Sequence, residues 1–407
     1  MLLLLFLACA DPGADTGVLP AEIRLAWVSA WPGDSWERSR LGLWWALSDL
    51  GAVPPADEAG LTVLEADQDR VLYTLDLERV GLSPAAAQAL EQAAAPVRDS
   101  GEYAFRGSVD TGRFLMATLF EPWRYYAITG ACATLGEWQE RRRPAEAQDY
   151  AVTLSQLTSG DRLLRLGRDP EVDRIALEAG EGTGSLAEGS FTATEHETVD
   201  AMANGRQRFA VYDDQGLLLP ASRVSPAGQP GRCMWCHQGH LMTGDPANPE
   251  LPGFLPTADF AQAVGVLQAR MEARREQVPV PFDWADQGEV HTWQELLSET
   301  FLRPSPARVA REWRVDEGEV GAIVAERGMT LALNEEHPDQ GEVLVRAEVD
   351  AALAELLPEL TARPEHPWYG RDPALWAPVP TLPSARELDP DAAELSGAGL
   401  PLPRCQP

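Results

Sequence analysis

Residues 233–237 place two thiols and an imidazole within five positions and read Cys-Met-Trp-Cys-His. Two thiols at this spacing can each form a thioether to one vinyl group of the same porphyrin. The histidine that follows can then ligate the iron as the proximal base. We therefore predict one covalently bound haem c, with Cys233 and Cys236 as attachment residues and His237 as the proximal iron ligand.

Two other kinds of site also use closely spaced cysteines. A zinc ion would need four tetrahedral ligands, drawn here from Cys233, Cys236 and either His237 or His240. Adjacent Cys236 and His237 would strain the backbone if both bound one ion, and the sequence has no second C-x-x-C pair. A thioredoxin-like disulfide belongs at a strand-to-helix turn of a βαβ unit, and the sequence shows no such repeat. Both alternatives stay open behind haem.

The motif resembles the haem-attachment sequence of c-type cytochromes. This resemblance implies a monohaem cytochrome that transfers single electrons at the cell envelope, with Trp235 shielding one face of the haem. One alternative is a periplasmic haem enzyme with five-coordinate iron, in which arginine and acidic side chains would do acid–base work. Another is a haem-bearing sensor or binding module. The motif identifies the cofactor more narrowly than it identifies the function.

The segment before the motif is predicted to be a β-hairpin, with strands over 208–212 and 217–219 joined by a turn at 213–216. Small helical cytochromes have a helix at this place. A hairpin there is similar to the PAS-like and P-460-like haem proteins, in which a curved antiparallel sheet holds the porphyrin. The P-460 proteins cross-link their haem through a lysine, and this chain contains no lysine. The second resemblance therefore implies the fold alone.

The second axial ligand is less clearly marked. Met271 lies on the first helix predicted after the motif, where helical cytochromes return a methionine, and it is the predicted distal ligand. His240 and Met242 follow His237 too closely to reach the opposite face of the ring. Four further candidates are not favoured: Met202, Met329, His196 and His291. Two histidines in polar, proline-flanked segments are expected to face solvent: His337 and His366.

Acidic residues dominate the charged composition. The 407 residues include 63 Asp and Glu against 33 basic residues, which gives a formal net charge of −30. All of the basic residues are arginines. A surface of this charge repels phosphate backbones, so we expect no nucleic-acid partner. The same charge suits a basic redox partner protein.

The first residues are similar to the end of a bacterial export signal. Residues 1–8 form a short apolar run before Cys9, as in the lipobox, where the cysteine is lipidated and becomes the mature amino terminus. This resemblance implies an exported protein in the periplasm or at the outer membrane, held to the membrane only by a lipid anchor. Residues 9–20 would be a tether. In an exported chain Cys132 and Cys405 can pair in a disulfide or stay two unrelated thiols.

We predict an α+β fold built from several units. The expected divisions are a signal segment at 1–8, a tether at 9–20, an α+β domain at 21–140, a β-rich region at 147–245 that ends in the haem site, a helical region at 255–363 and a proline-rich tail at 364–407. A polar, proline-containing stretch at 137–146 sets the first boundary. Turns such as Gly180-Glu181-Gly182 are expected to separate the strands of the β-rich region.

The spacing of apolar residues locates the elements. Helices are predicted over 36–50, 84–95, 257–277, 305–313 and 317–327, and strands over 23–28, 63–77 and 114–128. Thr292 is the predicted N-cap of a helix over 293–302. Five aromatic residues of the first domain are expected to form core rather than a cofactor site: Trp44, Trp45, Trp123, Tyr125 and Tyr126.

Overall fold

The computed structural model describes residues 21–31, 33–142, 146–155, 160–169, 174–225, 228–237, 239–334, 338, 341–381 and 405. Helices and largely antiparallel sheets follow one another along the chain, so the predicted α+β class is confirmed. The segments predicted as export signal and tether, including Cys9, lie outside the described residues. Within the described ranges, no helix combines the length and apolarity needed to cross a bilayer.

The first part of the chain forms a four-stranded sheet. Its strands and first helix are β1 (Glu22–Val28), α1 (Trp36–Asp49), β2 (Leu61–Ala66), β3 (Arg70–Asp76) and β4 (Val109–Asp110). The spatial order is β2-β3-β1-β4, with β1 antiparallel to β3 and parallel to β4. Ser35 begins α1 by accepting a hydrogen bond from the Arg38 amide. The helix predicted over 36–50 and the strand over 23–28 are confirmed.

Five helices follow in this part of the chain: α2 (Pro84–Arg98), α3 (Gly101–Arg106), α4 (Thr111–Thr118), α5 (Pro122–Thr129) and α6 (Leu135–Arg142). The strand predicted over 114–128 is wrong, because this stretch forms α4 and α5. The Asp110 side chain begins α4 by accepting from the Gly112 amide, and Glu121 caps α5, whose first residue is a proline. Local capping therefore outweighs the β propensity of the aromatic residues.

The middle of the chain is a five-stranded antiparallel sheet. Its strands are β5 (Glu146–Val152), β6 (Arg162–Asp169), β7 (Arg174–Thr183), β8 (Thr192–Ala201) and β9 (Gln207–Asp213), and they are neighbours in chain order. The hairpin predicted after β9 is only partly present. In the described chain Leu217 and Leu218 form isolated bridges to Thr134 and Tyr212 rather than a strand.

The remaining elements are mainly helical: α7 (Pro230–His237), α8 (Thr257–Arg275), α9 (Gln287–Leu302), α10 (Pro306–Trp313), α11 (Glu317–Arg327), β10 (Ala332–Leu333), β11 (Glu342–Val343) and α12 (Arg346–Leu360). Thr292 is not an N-cap, because α9 already begins at Gln287. A 3-10 turn over Trp284–Asp286 leads directly into α9, and the Thr292 hydroxyl donates to the Gly288 carbonyl at 2.9 Å.

Two hydrophobic cores hold these elements together. The larger core joins α1, α5, the five-stranded sheet and α8, so packing continues across the boundaries predicted near 140 and 255. The smaller core joins α10, α11 and α12 with two tryptophans of the tail. The domain division stays a prediction about folding units. The aromatic core is confirmed, since four of the five residues are fully buried: Trp44, Trp45, Tyr125 and Tyr126.

The end of the chain returns to its first part. Cys405 forms a disulfide with Cys132, in the loop between α5 and α6, which is the pairing that the sequence left open. The cross-link joins positions 273 residues apart. Such a link restricts the unfolded chain and thereby favours the folded state. The rest of the tail after residue 381 lies outside the described residues.

His366 does not face solvent as expected. The residue is buried, its Nε2–H donates to the Trp313 carbonyl at 3.0 Å, and its Nδ1 accepts from the Trp368 amide at 3.2 Å. The polar neighbours in sequence are a poor guide here, because both ring nitrogens find backbone partners inside the smaller core. His337, which shared this expectation, lies outside the described residues.

Candidate cofactor site

The three motif side chains project from one short helix. Cys233, Cys236 and His237 occupy positions i, i+3 and i+4 of α7, and residues at this spacing share one face of a helix. The helix packs against α5 and β9. Its second residue is Gly231, where a Cβ would lie only 2.6 Å from the Leu119 carbonyl oxygen. A glycine is therefore needed for α7 to approach this close to the end of α4.

The cysteines are free thiols in different surroundings. Cys233 is half-buried and Cys236 is exposed. Burial and the nearby charges of Glu197, Cys236 and Glu181 raise the pKa of the Cys233 thiol well above its ordinary value. Cys233 therefore stays protonated at neutral pH. Redox-active and zinc-binding cysteines act as thiolates, whose pKa is lowered by their surroundings. The surroundings of Cys233 therefore do not favour a redox-active thiolate at this position.

The imidazole of His237 is held in one tautomer. Its Nδ1 donates to the His240 carbonyl oxygen at 3.3 Å, because a carbonyl can only accept. A neutral ring with its proton on Nδ1 keeps the lone pair on Nε2. Burial lowers the pKa of His237 to about 4, so the ring is neutral at physiological pH. The ring centroid lies 5.3 Å from that of Phe209 on β9, which fixes the side of the sheet it faces.

A buried carboxyl cluster lies on the neighbouring strands. Glu181 of β7 is paired in register with Glu195 of β8, and the carboxylate oxygens of these two residues and Glu197 lie within 4.8 Å of one another. Arg162 of β6 places Nη2 at 2.5 Å from Glu181 Oε1 and at 3.2 Å from Glu197 Oε2. Glu197, Glu181 and Arg162 all act on the Cys233 thiol, so the cluster borders the motif.

Sequence analysis missed this cluster and assigned part of it to a turn. The predicted turn at Gly180-Glu181-Gly182 is wrong, because these residues lie inside β7. Gly182 is needed for close approach of β8: a Cβ there would lie 1.9 Å from the Thr192 carbonyl oxygen. The alternation Glu195-x-Glu197 was the available signal, since residues two apart in a strand share a face.

The pKa values of all three carboxyl groups in the cluster are raised. Burial, and then the charge of Glu197, raises the pKa of Glu181 from its ordinary 4.5 to about 8. Burial also raises the pKa of Glu197, and that of Glu195, which accepts from the Arg223 amide at 2.8 Å. Three carboxylates this close would repel one another if all were ionised. Proton uptake by this group resolves the repulsion.

Glu181 should make the protein less stable as the pH rises. The folded state binds this proton more tightly than the unfolded chain does, so the stabilisation is complete below pH 4.5 and is lost as the pH rises through about 8. The Glu181→Gln substitution mimics the protonated acid and should flatten this fall. Urea unfolding between pH 5 and pH 9 measures it, with exposed Glu188→Gln as the matched control. An unchanged pH slope in Glu181→Gln would contradict the prediction.

The face of α8 that bears Met271 lies against the segment after the motif. Gln268 Oε1 accepts from the Leu241 amide at 2.8 Å, and Arg275 donates to the Gly239 carbonyl. Met271 lies between these two contacts along the helix and is buried. Its ligation of the iron stays a prediction.

The other candidate iron ligands have packing partners elsewhere. His196 Nδ1 lies 3.1 Å from Glu178 Oε1. The buried His291 ring on α9 has its centroid 6.3 Å from that of the Trp45 ring. Met202 borders the end of α1, and its Sδ lies 3.4 Å from where a Cβ on Gly51 would stand. Met242 is exposed, and Met329 packs against the smaller core.

Comparison with known proteins adds no relative. No family model, curated protein or solved structure matches this chain. The function must therefore be argued from the site itself. Its elements are a helix face with two thiols and an oriented imidazole, and a carboxyl cluster with raised pKa values on the adjacent sheet.

Proposed function

We propose that the chain is a monohaem c-type cytochrome, in which Cys233 and Cys236 hold the haem and His237 ligates its iron. The observation that supports this most directly is the hydrogen bond from His237 Nδ1 to the His240 carbonyl. Iron-ligating histidines usually donate their second ring N–H to such a partner, which fixes the ring orientation and leaves Nε2 for the metal. A bound haem would supply one-electron chemistry at this place.

The two thiols suit covalent attachment. They share a helix face with His237, and Cys233 stays protonated because its pKa is raised by burial. Addition of a thiol to a vinyl group uses the hydrogen of the S–H and needs no oxidant. The donor set of α7 therefore fits a haem better than it fits zinc, which needs four tetrahedral ligands, while adjacent Cys236 and His237 could not both bind one ion without strain.

Electron transfer is the activity we propose for this haem. The formal charge of −30 would favour association with a basic redox partner at the cell envelope, to which the export-like amino terminus would direct the chain. Low-spin iron with Met271 as distal ligand would change little on reduction. The thioether bonds and the Nδ1 hydrogen bond would then keep the cofactor and its ligand in one geometry in both oxidation states.

A five-coordinate haem enzyme is a second candidate, and the carboxyl cluster favours it. Glu181 carries a proton at neutral pH, while Arg162 supplies a positive charge at 2.5 Å from its Oε1. Such a pair could donate a proton to a small ligand near the motif. The electron carrier does not require this arrangement.

Covalent pigment after co-expression with a haem-maturation system tests the attachment. The wild-type chain should retain haem in a denaturing gel, and Cys233→Ala/Cys236→Ala should lose it. The matched control is Cys132→Ser/Cys405→Ser, which also removes two sulfurs and should keep the pigment. Retention of covalent haem by the Cys233→Ala/Cys236→Ala chain would contradict the proposal.

The absorption spectrum of the holoprotein separates the two candidate functions. A low-spin spectrum with a methionine–iron charge-transfer band, lost in Met271→Leu, supports the electron carrier. A high-spin spectrum that changes when cyanide is added supports the enzyme, since it indicates an open coordination position. A Met271→Leu chain with an unaltered low-spin spectrum would exclude Met271 as the distal ligand.

A further inference from the structure

A second polar site lies between the first sheet and the carboxy-terminal helices, and it shares no residue with the haem motif. It is a cavity of about 90 Å³, lined by residues of β1, β3 and β4, the end of α10 and the segment after α12. Its charged lining consists of four arginines and two acids: Arg70, Arg106, Arg314, Arg371, Asp110 and Glu312. This clustering of positive charge is unexpected in a chain with a net charge of −30.

The two acids are already neutralised by other arginines. Asp110 Oδ2 lies 2.8 Å from Arg308 Nη2, and Glu312 lies 2.8 Å from Arg308 Nε and 2.7 Å from Arg346 Nη1. Neither Arg308 nor Arg346 lines the cavity. Both carboxylates are therefore paired with arginines that do not line the cavity. The four arginines that do line it give the cavity an excess of positive charge.

Two of the lining arginines form no close ion pair, although acidic charges lie near both. Among the described residues, neither Arg70 nor Arg314 forms an ion pair. Burial, and then the charges of Arg314 and Arg106, lower the pKa of Arg70 to about 10 against the opposing charges of Glu65 and Asp67. Burial also lowers the pKa of Arg314, against the same two acids. Arg314 also has a left-handed backbone with φ of 57°, which is uncommon outside glycine. That conformation ends α10, and it keeps Arg314 at the rim of the cavity.

The other two arginines are held in position by aromatic rings, a carbonyl and one carboxyl group. The Arg106 guanidinium lies over the rings of Trp368 and Trp376, at 5.2 Å and 4.8 Å from their centroids, and pairs with Glu102 at 3.3 Å. Arg371 donates to the Phe105 carbonyl. These contacts leave further N–H groups of both guanidiniums unused, since each carries five donors.

We propose that this cavity is an anion site that binds a phosphate group, either free or as a monoester. Guanidinium forks match the geometry of phosphate oxygens and bind them with paired hydrogen bonds. The volume of about 90 Å³ corresponds to about three water molecules of liquid, which suits one tetrahedral oxyanion. Exposed Arg314 and Arg371 place the site within reach of solvent.

Calorimetric titration of the full chain with inorganic phosphate, at constant ionic strength in chloride, tests this site. We expect saturable binding that is at least tenfold weaker in Arg70→Gln/Arg314→Gln. The control Arg79→Gln removes an exposed arginine outside the cavity and should bind phosphate like the wild type. Unfolding temperatures without phosphate confirm that each variant is folded.

Two further titrations separate the sources of the anion. Phenyl phosphate that binds more tightly than inorganic phosphate would assign the site to a monoester, and equal or weaker binding would assign it to the free ion. The proposal is overturned if phosphate does not saturate the wild type, if Arg70→Gln/Arg314→Gln binds as tightly, if Arg79→Gln binds equally weakly, or if succinate binds while phosphate does not. None of these outcomes depends on haem.

Discussion

Replacing His237 with alanine should remove the axial imidazole from the iron and change the spectrum of the holoprotein. Cys233 and Cys236 remain to hold the porphyrin, so the expected product carries a pigment whose iron lacks its proximal ligand. Absorption and resonance Raman spectra measure the loss. Added imidazole should restore the wild-type bands, because it can occupy the position that the side chain has vacated.

His240→Ala is the matched control for this substitution. The bond that orients His237 uses the backbone carbonyl of residue 240, which alanine retains. We therefore expect the His240→Ala spectrum to equal that of the wild type. A His237→Ala chain with the wild-type spectrum would exclude His237 as the iron ligand. A chain that acquires no haem at all would show that maturation itself requires the imidazole, which also agrees with ligation.

Replacing Glu312 with glutamine should cost about 3 kcal/mol of unfolding free energy, because it removes the anion that two buried arginines share. Among the described residues, Arg308 then keeps only Asp110 as an anionic partner, and Arg346 keeps only Asp350 at 3.7 Å. Glu312 accepts from Arg308 and from both terminal nitrogens of Arg346, at 2.7–2.8 Å. All three residues are buried. Chemical denaturation at neutral pH measures the loss, and the network joins α10 to α12, so the smaller core should loosen with it.

Glu319→Gln provides the comparison at the surface. Glu319 pairs with Arg363 at 2.7 Å, but both side chains are about one third exposed. The same chemical change should cost less than about 1 kcal/mol there. Equal effects of the two substitutions would show that burial of the Glu312 network contributes nothing.

The pH dependence of the Glu312 effect has a defined sign. Burial raises the pKa of this carboxyl, but the charges of Arg346 and Arg308 outweigh burial and hold the pKa below its ordinary 4.5. Its stabilisation is therefore present above pH 4.5 and is lost as the pH falls further. The difference between wild type and Glu312→Gln should shrink in acid, opposite to the trend expected for Glu181.

The motif of two thiols and an imidazole can be recognised from five residues because its spacing is local, and its binding of haem stays a prediction. Two thiols and an imidazole at fixed spacing occupy one helix face wherever that helix lies, and α7 is the helix that results. The oriented tautomer of His237 could not be predicted, since it depends on the backbone turn that brings the His240 carbonyl back to the ring.

The carboxyl cluster and the arginine cavity could not be predicted from the sequence, because each is formed by residues that are distant along the chain. The sequence pattern predicts a turn at Glu181 in the β-rich region, and only the register of β7 and β8 places this residue opposite Glu195. Arg70 and Arg314 meet only through the packing of α10 on the first sheet. Propensity also failed over 114–128, where capping by Asp110 and Glu121 produced helices from aromatic residues.

The link between Cys132 and Cys405 has a consequence for the order of assembly. The four cysteines outside the amino-terminal segment can pair completely in three ways, and two of these join a motif cysteine to Cys132 or Cys405. If Cys233 and Cys236 formed thioether bonds to a haem in an oxidising compartment, neither could take part in thiol–disulfide exchange. Cys132 and Cys405 could then pair only with each other. Attachment of the haem would then prevent incorrect disulfides and favour the bond between Cys132 and Cys405.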